Sequence, residues 1–459
     1  MKNENRYTKR YMMKFRHDMK RLPMLILAAV LPLAMTAQEQ QLGHSATLTA
    51  DALAADSLPP LPWEQRVQQR LDSLIANSEL LQTSQLGLMV WDLTADSALY
   101  TSNHRQRMRP ASTMKLLTAI TAIDRLGGDH QFRTMVKPRG TLTQRTDSTG
   151  GTLMGDLVCV GGMDPAFDNG DMKVLVDRIR QAGIDTICGR IVADKSFKDT
   201  LLLGQGWCWD DDNPCLSALL VSRKDNFADR LRRELQAVGV VFKSAPSSSR
   251  GEGSMASPER QAKANQTSLP SGVAGSGFSV SHSLDHILTR MMKQSDNLYA
   301  ECVFYHAALS EPGGDSRVAT AKNARAAVRR EIQSIGLDPS RYNVADGSGL
   351  SLYNYVSAEL LTMMLRHAWR SDRISQHLLP SLPVAGVDGT LKERMTKTAA
   401  YKNVRAKTGT LTGISSLAGY CTAGNGHQIC FAIINQGVEK AKSGKAFQDK
   451  VCSLLCAAQ

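Results

Sequence analysis

The run Pro110-Ala-Ser-Thr-Met-Lys-Leu-Leu-Thr-Ala-Ile-Thr-Ala-Ile-Asp-Arg125, closed by Gly127-Gly128, carries the strongest structural signal in this 459-residue chain. Helix formers between a proline and a glycine pair predict a helix whose first turn contains Ser112. Lys115 lies three residues further on, so its amine can reach the Ser112 hydroxyl on the same helix face. A serine becomes a useful nucleophile only where a neighbouring group accepts its proton. The run therefore makes Ser112 a candidate nucleophile and Lys115 a candidate base, although S-x-x-K is a weak signal when it is taken alone, and a helix cap with a solvated lysine is then the more common explanation.

A second polar segment, Ser295-Asp-Asn297, follows a predicted helix at 284–292. In an extended or loop backbone the side chains of Ser295 and Asn297 point the same way. They would present a second hydroxyl for proton transfer and an amide that holds a peptide carbonyl. The alternative is a helix cap, because Ser, Asp and Asn are favoured at helix starts and another helix is predicted at 298–309.

The third segment, Lys407-Thr-Gly-Thr410, belongs to a predicted strand. An ammonium and a hydroxyl beside a bare glycine backbone can hold a carboxylate while a peptide pairs along the strand edge. An ordinary lysine at a strand end is the alternative. In the order S-x-x-K, S-D-N, K-T-G, the three segments form a signature shared by class A β-lactamases and penicillin-binding proteins. Two lysines near one serine would lower each other's pKa, which helps Lys115 act as a neutral base while Lys407 stays charged for the substrate.

The residues around these motifs extend the resemblance over nearly all of the chain from about residue 63. Five runs carry it, at 110–116, 155–165, 346–351, 382–390 and 407–410. They resemble the class C low-molecular-mass penicillin-binding proteins, the D-alanyl-D-alanine carboxypeptidase/endopeptidase family. That family carries extra domains between its first two motifs, and a long stretch likewise separates Ser112 from Ser295 here. In ordinary β-lactamases the corresponding gap is far shorter.

The resemblance implies a catalytic role for four residues. Ser112 would attack the carbonyl between two D-alanines, with Lys115 as base. Ser295 would pass a proton to the leaving group, and Asn297 would position the substrate. Water would then release the acyl-enzyme, whereas a penicillin would mimic the substrate and stay attached.

The resemblance also implies how the substrate is held. Lys407 and Thr408, beside Gly409, would bind the terminal carboxylate, and the backbone N–H groups of Ser112 and Thr410 would form the oxyanion hole. Asp211 lies in a Trp-Cys-Trp-acidic run, similar to a stretch that overhangs the cleft in the family, and would grip a cationic amine of the stem peptide. An exposed acidic turn is the alternative for Asp211.

The order of elements and the resemblance together predict an α+β fold. We expect a penicillin-binding (β-lactamase/transpeptidase-like) domain in which helices flank an antiparallel sheet, with an inserted α+β domain between the first two motifs. The predicted division is a signal peptide at 1–37, a flexible segment at 38–62, the first part of the transpeptidase-like domain at 63–130, the inserted unit at 131–243, a linker at 244–277 and the second part at 278–459.

The beginning of the chain has the pattern of a secretory signal. Basic residues up to Arg21 precede an apolar run at 22–35 that is followed by small residues. The run is short and interrupted by proline, and an uncleaved anchor is the alternative. We therefore expect export to the periplasm or cell envelope. Much of the formal charge of +12 lies in this leader, and no basic, aromatic-interleaved run follows it, so no nucleic-acid partner is expected.

Nine cysteines are an odd number for an oxidising compartment, so at least one is expected to be free or bonded elsewhere. Cys208 with Cys215, and Cys421 with Cys430, are candidate disulfides, with buried free thiols as the alternative. No C-x-x-C pair occurs, which argues against structural zinc and thioredoxin-like chemistry. We expect neither a metal nor a cofactor.

The predicted activity is that of a serine-type D-alanyl-D-alanine carboxypeptidase or endopeptidase acting on peptidoglycan stem peptides or cross-links. Peptidoglycan peptides and β-lactam antibiotics are the expected partners. A β-lactamase-type hydrolase is one alternative, but no Glu-x-x-Asn run that would supply a deacylating base follows Ser295-Asp-Asn297. A non-catalytic peptidoglycan-binding homologue is the other, and it would have lost the nucleophile or a lysine. The balance of carboxypeptidase and endopeptidase activity, the stem-peptide preference and the oligomeric state stay open.

Overall fold

A computed structural model describes residues 61–144, 150–209, 212–243, 277–310 and 318–459. The predicted signal peptide, nearly all of the segment 38–62, nearly all of the linker 244–277 and the candidate residue Asp211 lie outside the described residues. Within the described ranges, no helix is both long enough and apolar enough to cross a membrane.

A five-stranded antiparallel sheet joins the two ends of the described chain. Its strands are β1 (Gln85–Asp92), β2 (Ser97–Ser102), β9 (Arg405–Leu411), β10 (Gly413–Thr422) and β11 (Gln428–Val438). They lie in the order β2-β1-β11-β10-β9. Strand β9, which carries the Lys407-Thr-Gly motif, is therefore an edge strand.

Helices cover both faces of this sheet. Successive side chains of a strand point to opposite faces, so Leu88 and Val90 enter one core and Met89 the other. Helices α1 (Trp63–Ala76) and α10 (Ala441–Ala457) pack on the face of Leu88 and Val90. Burial on both faces explains the nearly continuous apolar sequence of β1.

The helices on the other face form the largest hydrophobic core. They are α2 (Met114–Leu126), α5 (Leu284–Lys293), α6 (Asn297–Ala307), α7 (Ala321–Ser334), α8 (Ala358–Trp369) and α9 (Asp372–Ser381). Helix α2 is buried at every position from Met114 to Ile123, as expected for a helix surrounded by other helices. This burial fixes the position of the residues at the start of α2.

A second, six-stranded sheet is built mainly from residues between the first two motifs. Its strands are β3 (Gln131–Gln144), β4 (Gly151–Val160), β5 (Ile184–Cys188), β6 (Ile191–Asp194), β7 (Val241–Lys243) and β8 (Phe278–Ser283). The path is β7-β5-β4-β3-β8, and β6 pairs with β4. Helices α3 (Asn169–Gln181) and α4 (Phe227–Ala237) share a separate hydrophobic core with this sheet.

The structure has the predicted α+β architecture, with an antiparallel sheet between helices. The division into domains stays a prediction, and its boundary at 278 falls at the start of β8, which pairs with β3 in the second sheet. Helix α9 was not predicted, because its sequence is largely polar and contains Pro380, a residue that usually ends or kinks a helix and here lies one residue before its end.

The structure does not form the candidate disulfides. All nine cysteines are free thiols. In the β10–β11 pairing Cys421 lies opposite Ile429, and Cys430 lies opposite Tyr420, so the two sulfurs are one pair out of register. Cys208 is exposed and Cys215 is half-buried.

Candidate active site

Ser112 lies in a 3₁₀ turn, Ala111–Thr113, directly before α2. Ala111 has a φ of 48°, a left-handed conformation that L residues rarely adopt. The Pro110 carbonyl accepts hydrogen bonds from Thr113 Oγ1 at 2.7 Å and from Ser416 Oγ of β10 at 2.6 Å. The turn that carries Ser112 is therefore attached to both the central helix and the sheet.

Lys115 is fully buried and donates three hydrogen bonds. Its Nζ lies 2.9 Å from Ser112 Oγ, 2.7 Å from Asn297 Oδ1 and 2.8 Å from the carbonyl oxygen of Ser348. The spacing of three residues, from the 3₁₀ turn to the first turn of α2, thus produces the contact with Ser112 that the sequence predicts. The contact with Ser348 comes from a part of the chain that the motif did not indicate.

Burial lowers the pKa of Lys115 to about 8, although the negative charges of Asp346, Glu301 and Asp296 act in the opposite direction. An amine with such a pKa exchanges its proton close to neutral pH, as a general base requires. Burial, and not the second lysine as the sequence suggests, is the main cause of this lowering.

The segment Ser295-Asp-Asn297 combines a helix cap with polar side chains that face the two lysines. Asp296 caps α6 by accepting hydrogen bonds from the backbone N–H groups of Leu298 and Tyr299. Ser295 has a φ of 59°, and its hydroxyl accepts a hydrogen bond from Lys407 Nζ at 2.8 Å. The cap and the polar side chains therefore belong to different residues of one turn.

Lys407 is fully buried, and its Nζ also donates to the carbonyl of Thr408 at 2.7 Å. Burial, and secondly the neighbouring Lys115, lower the pKa of Lys407 well below its usual range. This lowering acts against the charged form of Lys407 that the sequence predicts. A bound carboxylate would favour the charged form again, because an opposite charge stabilises an ammonium.

Gly409 allows β9 to approach the nucleophile. A Cβ at this position would lie 2.2 Å from Ser416 Oγ, 2.8 Å from the Pro110 carbonyl oxygen and 3.0 Å from the Ser112 nitrogen. Any side chain would therefore push the strand away from the serine. Within the described residues, the backbone hydrogen bonds of 407–410 go to β10 alone, which leaves the outer edge of this segment open.

The structure brings most of the predicted side chains into one cluster. Its members are Ser112, Lys115, Ser295, Asn297 and Lys407. Thr408 lies beside the cluster and donates a hydrogen bond to Thr390 at 2.8 Å, while Thr410 pairs with Ser415 in the sheet. The remaining candidate, Asp211, lies outside the described residues.

A buried loop after residue 345 contacts the cluster through the Ser348 carbonyl, which accepts a hydrogen bond from Lys115. The Asp346 carboxylate accepts hydrogen bonds from the backbone N–H groups of Gly349 and Ser351, from Asn354 Nδ2 and from Trp207 Nε1. Four donors on one carboxylate give this loop a single conformation. The Asp-Gly-Ser-Gly sequence was the available signal, but it does not reveal which lysine the loop contacts.

Glu301 is a buried carboxyl that the sequence did not single out. It accepts hydrogen bonds from the backbone N–H groups of Gly347 at 3.1 Å and Ser348 at 2.8 Å. Burial, followed by the charge of Asp346, raises the pKa of Glu301 to about 8. Its position four residues after Asn297, on the same helix face, is the only sequence signal for it.

One group among the described residues has the donor set of a metal site. Ligand atoms of Asp124, Glu331 and His367 lie within 4.8 Å of one another. Glu331 forms ion pairs with Arg125 Nε and His367 Nε2, both at 3.4 Å. These ion pairs account for the buried carboxylate, and the group contains none of the predicted site residues.

A family model matches residues 67–224 and 276–457, and it describes the D-Ala-D-Ala carboxypeptidase 3 (S13) family. The chain belongs to the S13 family. The resemblance inferred from the motifs is thereby confirmed, and so is the predicted class of enzyme, a hydrolase of the D-alanyl-D-alanine carboxypeptidase type. The unmatched stretch between the two ranges contains most of the predicted linker.

Known S13-type proteins resemble this chain along most of its length. A D-alanyl-D-alanine carboxypeptidase of Actinomadura sp. (strain R39) is 26% identical over 467 residues, which cover 85% of this chain and 84% of the relative. The carboxypeptidase DacB of Haemophilus influenzae is 26% identical over 442 residues, covering 77% and 85%. The crystal structure of penicillin binding protein 4 from H. influenzae matches with a TM-score of 0.70 and 22% identity over 84% of this chain and 99% of that one, which confirms the fold class.

Proposed function

We propose that this S13 protein is a serine-type D-alanyl-D-alanine carboxypeptidase or endopeptidase that works through an acyl-enzyme on Ser112. The observation that carries the proposal is the 2.9 Å hydrogen bond between the buried Lys115 amine and the Ser112 hydroxyl. A second lysine and hydroxyl of the same cluster, Lys407 and Ser295, are also joined by a hydrogen bond, at 2.8 Å. The substrates are peptidoglycan stem peptides or their cross-links.

Acylation begins when Ser112 Oγ attacks the carbonyl carbon between the two D-alanines and neutral Lys115 takes the hydroxyl proton. The backbone N–H groups of Ser112 and Thr410 stabilise the oxyanion. As the C–N bond breaks, Ser295 gives its hydroxyl proton to the leaving amine and receives in its place the proton that Lys115 took from Ser112, so Lys115 is neutral again. Water then cleaves the ester and releases the peptide, which leaves Ser112 free for another cycle.

The open edge of β9 supports the mode of substrate binding. An extended peptide can pair with the backbone of 407–410 as an additional strand. Lys407 and Thr408 then hold the terminal carboxylate, and Asn297 holds a peptide group of the substrate. A related protein, penicillin binding protein 4 from H. influenzae, has been crystallised in complex with a β-lactam. We infer that β-lactams occupy the same groove in this chain.

We also propose that the protein acts in the periplasm or cell envelope. Its substrate polymer lies outside the cytoplasmic membrane, and the basic and apolar runs that end at residue 35 have the pattern of an export signal.

The proposal is tested by mass spectrometry of the purified protein after incubation with labelled penicillin. We expect one covalent adduct, on the peptide that contains Ser112, and none in the Ser112→Ala variant. Ser340→Ala, which changes an exposed serine of a short surface turn, serves as the control and should be labelled normally. An adduct on another residue, or none, contradicts the mechanism. Rapid destruction of nitrocefin would instead indicate a β-lactamase.

A further inference from the structure

We infer that Glu301 is a positioning residue of the acylation step, which holds the Ser348 carbonyl against Lys115 and whose charge acts on that lysine. The inference rests on the proposed role of Lys115 as the base. It adds to the three sequence motifs a fourth group, supplied by the interior of α6.

The contacts of Lys115 lead directly to Glu301. Two of the three acceptors of the Lys115 amine are Asn297 Oδ1 and the Ser348 carbonyl. Asn297 and Glu301 lie one turn apart on α6, and Glu301 accepts the N–H group of Ser348 at 2.8 Å. One helix therefore sets the positions of both acceptors, the first directly and the second through Glu301.

The loop that carries Ser348 lies against α6 without room for adjustment. A Cβ on Gly347 would lie 2.4 Å from Phe304 Cβ and 3.1 Å from the Ala300 carbonyl oxygen. The Gly347 N–H points to the Glu301 carboxyl at 3.1 Å. Removal of the carboxyl would leave two adjacent buried N–H groups without their acceptor, and a buried donor without a partner is costly.

Charge gives Glu301 a second effect on the base. Glu301 is 1% exposed, and burial raises its pKa to about 8, the same value to which burial lowers the pKa of Lys115. An ionised Glu301 raises the pKa of Lys115. Glu301 thus gains its charge in the same pH range in which Lys115 must lose its own.

Several titratable or charged groups face this pair. They are Asp296, Cys302 and Tyr305 on or beside α6, Arg325 on α7, and Asp346 in the loop. A cavity of about 360 Å³, lined in part by Glu301, Arg325 and Asp346 but by neither Ser112 nor Lys115, lies beside the carboxyl.

Glu301→Gln separates the two effects, because the amide keeps the size and an acceptor oxygen but has no charge. The measurement is the second-order rate constant for acylation by labelled penicillin as a function of pH. The rate should rise at lower pH than in the unmodified protein, by about half to one pH unit, because Lys115 loses a stabilising negative charge. The plateau at high pH should stay within about threefold. Glu301→Ala, which also removes the acceptor, should lower the plateau at least about tenfold.

Glu331→Gln is the matched control, because Glu331 is also a fully buried glutamate, on the neighbouring helix α7, and pairs with Arg125 and His367. It should lower the thermal stability and leave the pH profile in place. A profile of Glu301→Gln that coincides with the unmodified protein, or an equal shift in Glu331→Gln, overturns the inference. Absence of an adduct on Ser112 in the unmodified protein would contradict the proposed function instead, so the two failures are distinguishable.

Discussion

Lys115 combines two properties that conflict at the scale of a single residue. It is buried completely, which disfavours its charge, and it donates hydrogen bonds to three oxygens, which favour the charge. Burial has the larger effect and lowers the pKa to about 8. Near this pH Lys115 is therefore divided between the protonated ammonium and the neutral amine, and only the neutral amine can accept a proton from Ser112.

This balance predicts a pH dependence. In the proposed mechanism neutral Lys115 is the base, so the rate of acylation by penicillin should rise as the pH passes about 8 and level off above it. Lys115→Arg keeps a positive charge that does not deprotonate, so acylation should fall by about 10²–10⁴-fold. Stopped-flow measurement with a labelled penicillin gives both results.

Lys293→Arg is the matched control for this variant. Lys293 donates to the Leu382 carbonyl and to Asp388, away from Ser112, so its replacement should leave the acylation rate unchanged. An arginine at 115 that supports the normal rate would show that another group accepts the serine proton.

The sequence predicts the site only as far as local spacing extends. The contact between Ser112 and Lys115 follows from a separation of three residues on a helix, and the structure contains it. The contacts of Glu301 with Gly347 and Ser348 join segments more than forty residues apart, and no spacing rule indicates them. The pKa values of both lysines depend mainly on burial, which is a property of the folded molecule.

At the scale of an element, the start of α6 has two tasks. Ser295 adopts a left-handed φ of 59°, which allows its hydroxyl to meet Lys407. Asp296 caps the helix and also accepts hydrogen bonds from Arg223 at 2.6 Å and Arg290 at 2.9 Å. Burial would raise the pKa of Asp296, but the two arginines lower it below its usual value.

Asp296→Asn tests the contribution of these ion pairs, because asparagine caps a helix about as well as aspartate. At neutral pH the free energy of unfolding should fall by up to about 1 kcal/mol. A carboxylate whose folded pKa is lowered stabilises the protein above its unfolded pKa, and this stabilisation is lost as the pH falls through the folded value. The difference between the two proteins should therefore shrink below about pH 4. Urea unfolding at neutral pH and below about pH 4 measures this difference. A difference that does not depend on pH would exclude the ion pairs as its cause.

Element boundaries show a similar limit of sequence reasoning. Helices α2, α5 and α6 were predicted from runs of helix-forming and apolar residues. Helix α9 was missed because Asp372–Ser381 is largely polar. Its fully buried apolar residues are Ile374 and Leu378. Packing against other helices, rather than intrinsic propensity, stabilises such a segment.

At the scale of the whole molecule, residues between the first two motifs contact the segments around Lys115. Trp207 Nε1 donates to Asp346 at 2.8 Å, and Arg223 donates to Asp296. Both acceptors lie in the segments that surround Lys115. The sequence predicts an extra unit between the first two motifs. It does not predict that residues of this unit contact Asp346 and Asp296, because such contacts depend on tertiary packing.

Both sheets combine strands from the two sides of the predicted linker. Strand β8 pairs with β3 from Gln131 opposite Ser283 to Val136 opposite Phe278. Strand β11 pairs with β1 from Gln85 opposite Gln436 to Asp92 opposite Ile429. A cut in the linker would therefore leave two fragments that share two sheets and the largest hydrophobic core.

Limited digestion with trypsin tests this arrangement, because Arg250, Arg260 and Lys263 lie in the Ser-, Gly- and Pro-rich run that is predicted to be a linker. We expect cleavage there first, with two fragments that remain together in gel filtration and separate only in denaturant. The nicked protein should still bind labelled penicillin, on the fragment that contains Ser112, at close to the rate of the intact chain. Fragments that separate without denaturant, or that lose acylation, would contradict the view that pairing between the two halves, rather than the covalent link, holds Ser112 opposite Lys407.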